Sequence, residues 1–526
     1  MLSYRALHLV IAYAGRQIRR GVPISVEAAG RLSESLLRAR MDLRLLSVPL
    51  LAIIVLARCG SPAGNATKPS AIKADNATSG SASICDVCSC TDSYVDCSNR
   101  NLETHFEKAQ WLNVTARVVS FEHNCLVHVT PFPRIVVEKL ILRNNRIARI
   151  DYHAFKELVN LTELDLSHNQ LTSQQLQPHV FEGRFSSEAY EPLNLQVLDL
   201  SGNVLHWLHQ SIFEHLADLK VLKLAKNPFG AFDYRTSIAI SSLSCLEDLD
   251  LSYCQLRELP NLQFYHAKYL RRLNLNGNRL AAVPRPLEDA RNLEYLSLDA
   301  NPIRIINMVN AFPKLTKLKE LSLRDMPNLT EIGFGGLREL TGLESLYLQN
   351  CKKLRRIDEY AMASQTSEGT VWPPLKRLSV ASNALQYLPM LLVGRWDKLE
   401  ELRLTDNPWS CDCLNQYLIG TVLPEDGERL MGNETDELTC SAPPEHEGKK
   451  LVSLADRHLR CLDLWGARPE KDAAILVGVL IGLLVAIPIG MAFFVLWRRG
   501  FFFCGLQGPA TFSRAFYKRA SNDDDI

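Results

Sequence analysis

Cysteines crowd together in two places in the sequence, closely enough to do chemistry. One is NPWSCDC at residues 407–413, where Cys411 and Cys413 stand a single residue apart; the other is CDVCSCTDSYVDC, which holds Cys85, Cys88, Cys90 and Cys97. Two cysteines separated by one residue point in different directions and are poorly placed to bridge each other, so each needs a distant partner, a metal or a reactive role. Cys440 and Cys461 follow and bring the second group to four. Four such residues serve disulfides, a zinc site or a redox site, and the compartment decides among them. Asp165, Ser167 and His168 also lie together, in LDLSHN, with the residue types of an acyl-transfer triad. Their proximity is sequential, on a segment where related polar residues recur, which points to surface polarity rather than catalysis. A Gly-rich phosphate loop, an HExxH helix and a calcium loop are all absent from the sequence, so no residues are left for an enzymatic reading, and neither cofactor nor metal is expected.

Two apolar segments settle the compartment. Ala474 to Trp497 is 24 residues without a charge; at about 1.5 Å per residue it exceeds a bilayer core of roughly 30 Å, and a membrane span is expected there. Glu470, Lys471 and Asp472 precede it and Arg498 and Arg499 follow, which places the amino-terminal bulk outside the plasma membrane as a single-pass type I protein. Leu45 to Ala57 is only 13 residues, follows Arg38, Arg40 and Arg44 and precedes small residues, the anatomy of a signal peptide, with a short signal anchor as the alternative. Translation is expected to start at Met41, with residues 1–40 an upstream extension or a long leader. Six N-x-S/T sequons, at Asn65, Asn76, Asn113, Asn160, Asn328 and Asn433, all fall on the outer side, as a glycosylated ectodomain requires. The formal net charge of +1 gives no reason to expect a nucleic-acid partner.

The elements that must position these groups come from a repeat. From residue 116 to 407 the pattern L-x-x-L-x-L-x-x-N-x-L recurs, clearest in LTELDLSHNQL (161–171), LQVLDLSGNVL (195–205) and LRRLNLNGNRL (270–280). Twelve copies centre on Val119, Leu140, Leu164, Leu198, Leu222, Leu249, Leu273, Leu296, Leu321, Leu346, Leu378 and Leu402. In L-x-L both leucines turn inward along a short strand, and a buried Asn ties adjacent turns, so the spacing predicts an α/β solenoid with a curved parallel sheet on its concave side. Cys254, Met326 and Cys351 replace that Asn, which makes Cys254 and Cys351 expected buried thiols. Phe155, Phe181 and Phe213 recur at a similar offset and predict a phenylalanine spine on the outer side. Two gaps, 34 residues from Leu164 to Leu198 and 32 from Leu346 to Leu378, predict loops at one edge.

An open solenoid exposes its core at both ends, and in an oxidising compartment small caps are held by disulfides. The flanking cysteine spacings, C-x2-C-x-C-x6-C in front and N-P-W-x-C-x-C with two later cysteines behind, closely resemble those of the extracellular leucine-rich-repeat family over roughly residues 85–461. The resemblance implies pairing of first with third and second with fourth: Cys85 with Cys90, Cys88 with Cys97, Cys411 with Cys440 and Cys413 with Cys461. It also implies that Trp409 packs over the last repeat. Cys125 and Cys245 stay unassigned. The expected organisation is a leader (1–60), a glycosylated linker (61–84), an amino-terminal cap (85–115), repeats (116–407), a carboxy-terminal cap (408–462), a stalk (463–473), the span (474–497) and a cytoplasmic tail (498–526).

Binding is the function this architecture predicts. Acidic residues crowd the front of the concave row, whereas Tyr295, Arg324, Tyr347, Arg377 and Arg403 enrich its rear with types that anchor interfaces. A protein partner at the cell surface suits such a face, with the two tyrosines on strands two repeats apart and Arg324 on the strand between. Twenty-nine tail residues are too few for a kinase or Toll-type signalling domain. Within the tail, Cys504 suits S-palmitoylation, Ser521 suits phosphorylation, and Asp524 with Ile526 resembles a carboxy-terminal ligand for a PDZ-domain scaffold. General similarity to trophoblast-glycoprotein-like and neuronal leucine-rich-repeat adhesion receptors implies adhesion, synaptic or axon-target matching, or modulation of a signalling receptor. The alternative is an innate immune pattern-recognition co-receptor.

Overall fold

The computed structural model describes residues 83–111, 116–185, 187, 189–261, 263–461 and 469–499. Each repeat contributes a strand of three residues, and burial explains why it stops there. In Glu163–Asp165 the central Leu164 is 1% exposed while its neighbours are half-buried, so one inward side chain anchors each short strand. Fourteen strands form one sheet in chain order. They are β1 (Ser89–Cys90), β2 (Tyr94–Asp96), β3 (Val118–Ser120), β4 (Lys139–Ile141), β5 (Glu163–Asp165), β6 (Val197–Asp199), β7 (Val221–Lys223), β8 (Asp248–Asp250), β9 (Arg272–Asn274), β10 (Tyr295–Ser297), β11 (Glu320–Ser322), β12 (Ser345–Tyr347), β13 (Arg377–Ser379) and β14 (Glu401–Arg403). The twelve residues expected as repeat centres are the centres of β3 to β14, paired in parallel without a register slip. The amino-terminal cysteine segment is more than a lid: its hairpin β1–β2 joins the sheet through a parallel pairing of β2 with β3.

Two devices stack the turns. The Asn227 side chain donates from Nδ2 to Leu200 O of the preceding turn and Leu224 O of its own, both 2.9 Å, and accepts from Leu205 N at 3.1 Å through Oδ1. Buried carbonyls and amides that no strand can satisfy are thereby paired. Just before this position every one of the twelve turns carries a residue with φ between 54° and 67°, and His, Asn, Gly, Asp and Ser dominate there. At Gly277 a side chain is excluded twice over, by its φ of +63° and by the Tyr253 ring, 2.3 Å from where a Cβ would stand. His168, one of the three polar neighbours in LDLSHN, is the residue with positive φ in its turn, and Ser167 Oγ donates to Asp165 at 2.6 Å. That cluster shapes a turn.

On the convex side Phe132, Phe155 and Phe181 stack with near-parallel rings 6.2 and 6.3 Å apart, and Phe213 is buried one turn further on. His105 extends the stack over Phe132 at 4.4 Å. One convex segment is an α-helix, α1 (Tyr234–Ser241), started by Asp233, whose carboxylate accepts from Thr236 N at 2.8 Å. Disulfides join Cys85 to Cys90 and Cys88 to Cys97 at one end, and Cys411 to Cys440 and Cys413 to Cys461 at the other. In the NPWSCDC corner Trp409 is 1% exposed and donates to Leu404 O at 3.1 Å, while buried Asp412 accepts from Ser410 Oγ (2.6 Å), Tyr387 OH (2.8 Å) and Leu414 N (2.9 Å). The corner's density closes the last turn, and helix α2 (Leu423–Met431) covers it.

The long gaps differ from simple loops. Among the described residues of the first gap, Arg184–Phe185 and Tyr190–Glu191 form an antiparallel hairpin, whereas Leu176, Val180 and Phe181 of the same stretch belong to the core. The second gap holds a hairpin of Ser364–Thr366 and Gly369–Val371. Each hairpin falls between a convex segment and the next strand, so both leave the solenoid on the flank where strands begin. A helix, α3 (Pro469–Arg498), follows the carboxy-terminal cap; residues 473–498 are long and apolar enough to cross a membrane. It begins five residues ahead of the expected start of the span, within the expected stalk.

Candidate functional site

The two outward residues of each strand form two columns across the concave face. In one column Asp165, Asp199, Lys223, Asp250, Asn274, Ser297, Ser322, Tyr347, Ser379 and Arg403 succeed one another; in the other Asp248, Arg272, Tyr295, Glu320, Ser345, Arg377 and Glu401 do. Tyr295 and Tyr347 lie two strands apart as expected but in different columns. Arg324 is not on the strand between them, since β11 ends at Ser322; it sits two residues beyond, where the chain leaves the sheet.

The front acids are occupied by their own backbone. Asp165, Asp199 and Asp250 each accept the amide two residues on, at 3.0, 2.9 and 2.8 Å, which shapes the turn towards the positive-φ residue. Asp199 also pairs with Lys223 at 3.5 Å. Burial raises the Asp248 carboxyl above its ordinary range, against the pull of Arg272. Further back the turn support moves to Asp299, which accepts Arg324 N at 2.7 Å and Ser322 Oγ at 2.6 Å.

The rear cations divide into paired and unpaired. Arg403 lies 2.7 Å from Glu401 and 3.7 Å from Glu434, so the structure neutralises one of the five residues expected to bind a partner. Arg272, Arg324 and Arg377 have no carboxylate within 4.0 Å among the described residues. Arg272 lies over the Tyr295 ring at 4.9 Å and Arg324 over the Tyr347 ring at 4.3 Å, a geometry in which the guanidinium gains from the ring's negative face. Arg377 donates from Nε to Ser345 Oγ at 3.0 Å. A depression of about 420 Å³ runs over β8 to β11 and ends at Arg324; a second of about 310 Å³ begins there and reaches Arg403. Aligning the repeats strand by strand brings out Arg272 as the partner of Tyr295; a single column does not.

The flank where strands begin behaves differently. The residue before each strand alternates in sign from Lys220 to Glu400, and Glu294 pairs with both Lys319 (2.8 Å) and Arg271 (3.9 Å), Glu344 with Lys376 (2.9 Å). Lys319 holds the Glu294 carboxyl, and Lys376 the Glu344 carboxyl, below their usual range.

Cys254 and Cys351 are buried free thiols whose Sγ atoms donate to Leu224 O and Leu323 O at 3.2 Å, in place of the Asn amide. Burial pushes both up to about 12. Cys245 is free and partly exposed, whereas Cys125 is disulfide-bonded. Asn160, Asn328 and Asn433 are exposed, and Asn328 Oδ1 accepts from Lys353 Nζ at 2.9 Å. Asn65, Asn76, Asn113, Cys504, Ser521, Asp524 and Ile526 lie outside the described residues. Among the described residues no group of three or more His, Cys, Asp or Glu side chains is placed to hold a metal ion.

A family pattern described as leucine rich repeat matches residues 136–184, 193–256 and 244–303. Mouse Tsukushi is 33% identical over 283 residues, 52% of this chain and 73% of its own length. The transforming growth factor beta activator LRRC32 of Pongo abelii is 29% identical over 309 residues, 50% of this chain and 45% of its own. Among solved structures, human 5T4 (Wnt-activated inhibitory factor 1, trophoblast glycoprotein) is 19% identical with a TM-score of 0.31, over 73% of this chain and 100% of that one.

Proposed function

The chain belongs to the extracellular leucine-rich-repeat family, and from that premise we propose that it is a single-pass type I surface glycoprotein whose rear concave face recognises an extracellular protein. The observation that carries this reading is the pair of stacked Arg–Tyr contacts on an open face, exposed Arg272 over half-buried Tyr295 and half-buried Arg324 over half-buried Tyr347. Aromatic and arginine side chains held rigidly at the centre of a surface are the types that dominate protein interfaces. The face is broad, shallow and of mixed polarity, unlike the enclosed, mostly apolar pockets that take small molecules. The apolar α3, Arg498 and Arg499 behind it, and exposed sequons ahead of it support the orientation. One relative is named as an activator of transforming growth factor beta, which supports modulation of a signalling protein as the outcome of binding.

The test is a screen of the ectodomain, residues 61–470, against a library of cell-surface proteins, followed by Tyr295→Ala with Tyr347→Ala on the partner found. Loss of an interface aromatic costs about 2 kcal/mol or more, roughly thirtyfold in affinity. The competing surface is the exposed hairpin at Arg184–Glu191. Because Leu176 and Phe181 are core, the control replaces only residues 184–191 by a Gly-Ser turn. Unchanged affinity in the tyrosine variant, at matched thermal stability, refutes the concave assignment.

A further inference from the structure

The arginines around Tyr347 differ from the paired cations of the strand-start flank and of the sheet's end. Along the strand-start flank Lys319 and Lys376 each meet a carboxylate on the neighbouring turn, and at the sheet's end Arg403 meets two. Arg324 and Arg377 have none within 4.0 Å among the described residues, although Asp299 and Glu320 stand close by on the same face. Asp299 is already engaged by Ser322 and the Arg324 amide. Arg324 Nε, moreover, is enclosed and without a hydrogen-bond partner. Among the described residues no internal acceptor therefore competes for the Arg324 guanidinium, and an Arg–carboxylate contact supplies hydrogen bonds of the stronger, charge-assisted kind.

Resting on the reading of the concave face as the interface, we propose that the partner docks an acidic side chain, Asp or Glu, onto Arg324 and Arg377 across the ring of Tyr347. The strand serves as the platform: the Tyr347 ring carries the Arg324 guanidinium, and Ser345, two residues before it on β12, holds Arg377. The occupant is an acidic protein segment rather than a polyanion. The depression that ends at Arg324 is also lined by Asp248, Asp250, Asp299 and Glu320, which repel a continuous run of sulfates or phosphates but leave room for one carboxylate beside neutral or basic neighbours.

The experiment pans a displayed random dodecapeptide library on the full-length chain at the cell surface, in parallel with Arg324→Gln/Arg377→Gln and Arg324→Lys chains of matched melting temperature. The expected result is a set of peptides rich in Asp and Glu that bind the natural chain, lose at least tenfold in affinity on the double-Gln chain, weaken with salt, and partly survive Arg324→Lys. Arginine-dependent peptides without acidic enrichment overturn the proposal, as does a library in which no peptide depends on these arginines. Heparin oligosaccharides that bind through the same two residues would overturn it in favour of a polyanion. If a cell-surface protein is lost on Tyr295→Ala/Tyr347→Ala yet binds the double-Gln chain normally, the concave-face reading stands and the carboxylate inference alone fails.

Discussion

At the scale of single residues, the position that links one turn to the next tolerates three chemistries. Asn makes three to five hydrogen bonds there, Cys makes a weak pair to carbonyls, and Met326 fills the space at 0% exposure without a side-chain hydrogen bond among the described residues. The substitutions show what the position requires: volume in the core first, donors to the preceding turn's carbonyl second. Thiols placed there are inert because the thiolate is the reactive form and burial pushes Cys254 and Cys351 up to about 12. A maleimide at neutral pH is therefore expected to label partly exposed Cys245 in the native chain and to reach Cys254 and Cys351 only after denaturation. Mass mapping of the labelled peptides checks this, and native labelling of Cys254 at the rate of Cys245 contradicts the buried placement.

At the scale of elements, a convex segment is held mainly by what it stacks on, since it has few strand bonds of its own. Phe155 lies between Phe132 and Phe181 at 0% exposure, so Phe155→Ala leaves a cavity that neither neighbour can fill, and it is expected to cost about 3–5 kcal/mol. Phe185→Ala, on the hairpin with its side chain 65% exposed, is expected to change stability by less than about 0.5 kcal/mol. Denaturant titration of the two variants checks the contrast, and equal midpoints count against the spine. Elements of this kind were legible in the sequence wherever one side chain dictates the geometry. The leucine period located all twelve repeat strands because every strand is centred on one buried residue, and the phenylalanine offset located the spine. What spacing did not show depends on relations between turns. The first long gap looked like a loop on either side of Phe181, yet Leu176 and Val180 continue the core with it, and the hairpin of Arg184–Phe185 with Tyr190–Glu191 is what leaves it. Arg324 looked like a strand residue because it follows L-x-L closely, whereas pairing ends at Ser322. Which arginines keep a free charge was equally invisible, because Glu434, which helps neutralise Arg403, comes from the cap 31 residues further along the chain.

At the scale of the whole molecule, the structure is a line of turns, each touching only its neighbours, and its stability is set by the ends as much as by the middle. The last repeat strand, β14, has no following repeat to pair with; its core is closed instead by Trp409, α2 and the two disulfides of the carboxy-terminal cap. Cys413→Ser removes the bridge of 48-residue separation that ties the NPWSCDC corner to the cap's far end, a loss of about 2–5 kcal/mol for a small exported module. In a globular core such a loss would lower protection everywhere, because unfolding is all-or-none. In a linear array the opening should begin at the damaged end and fade with distance, as local unfolding does in repeat chains. Hydrogen exchange of Cys413→Ser is therefore expected to show the largest loss of protection in β13 and β14, a smaller one in β11 and β12, and little change in β5 and β6. The same variant is expected to be retained in the secretory pathway, since the exposed core edge resembles an unfinished fold. Uniform loss of protection across all twelve repeat strands would contradict the linear picture, and unchanged protection of β14 would show that Trp409 and α2 close the core without the bridge.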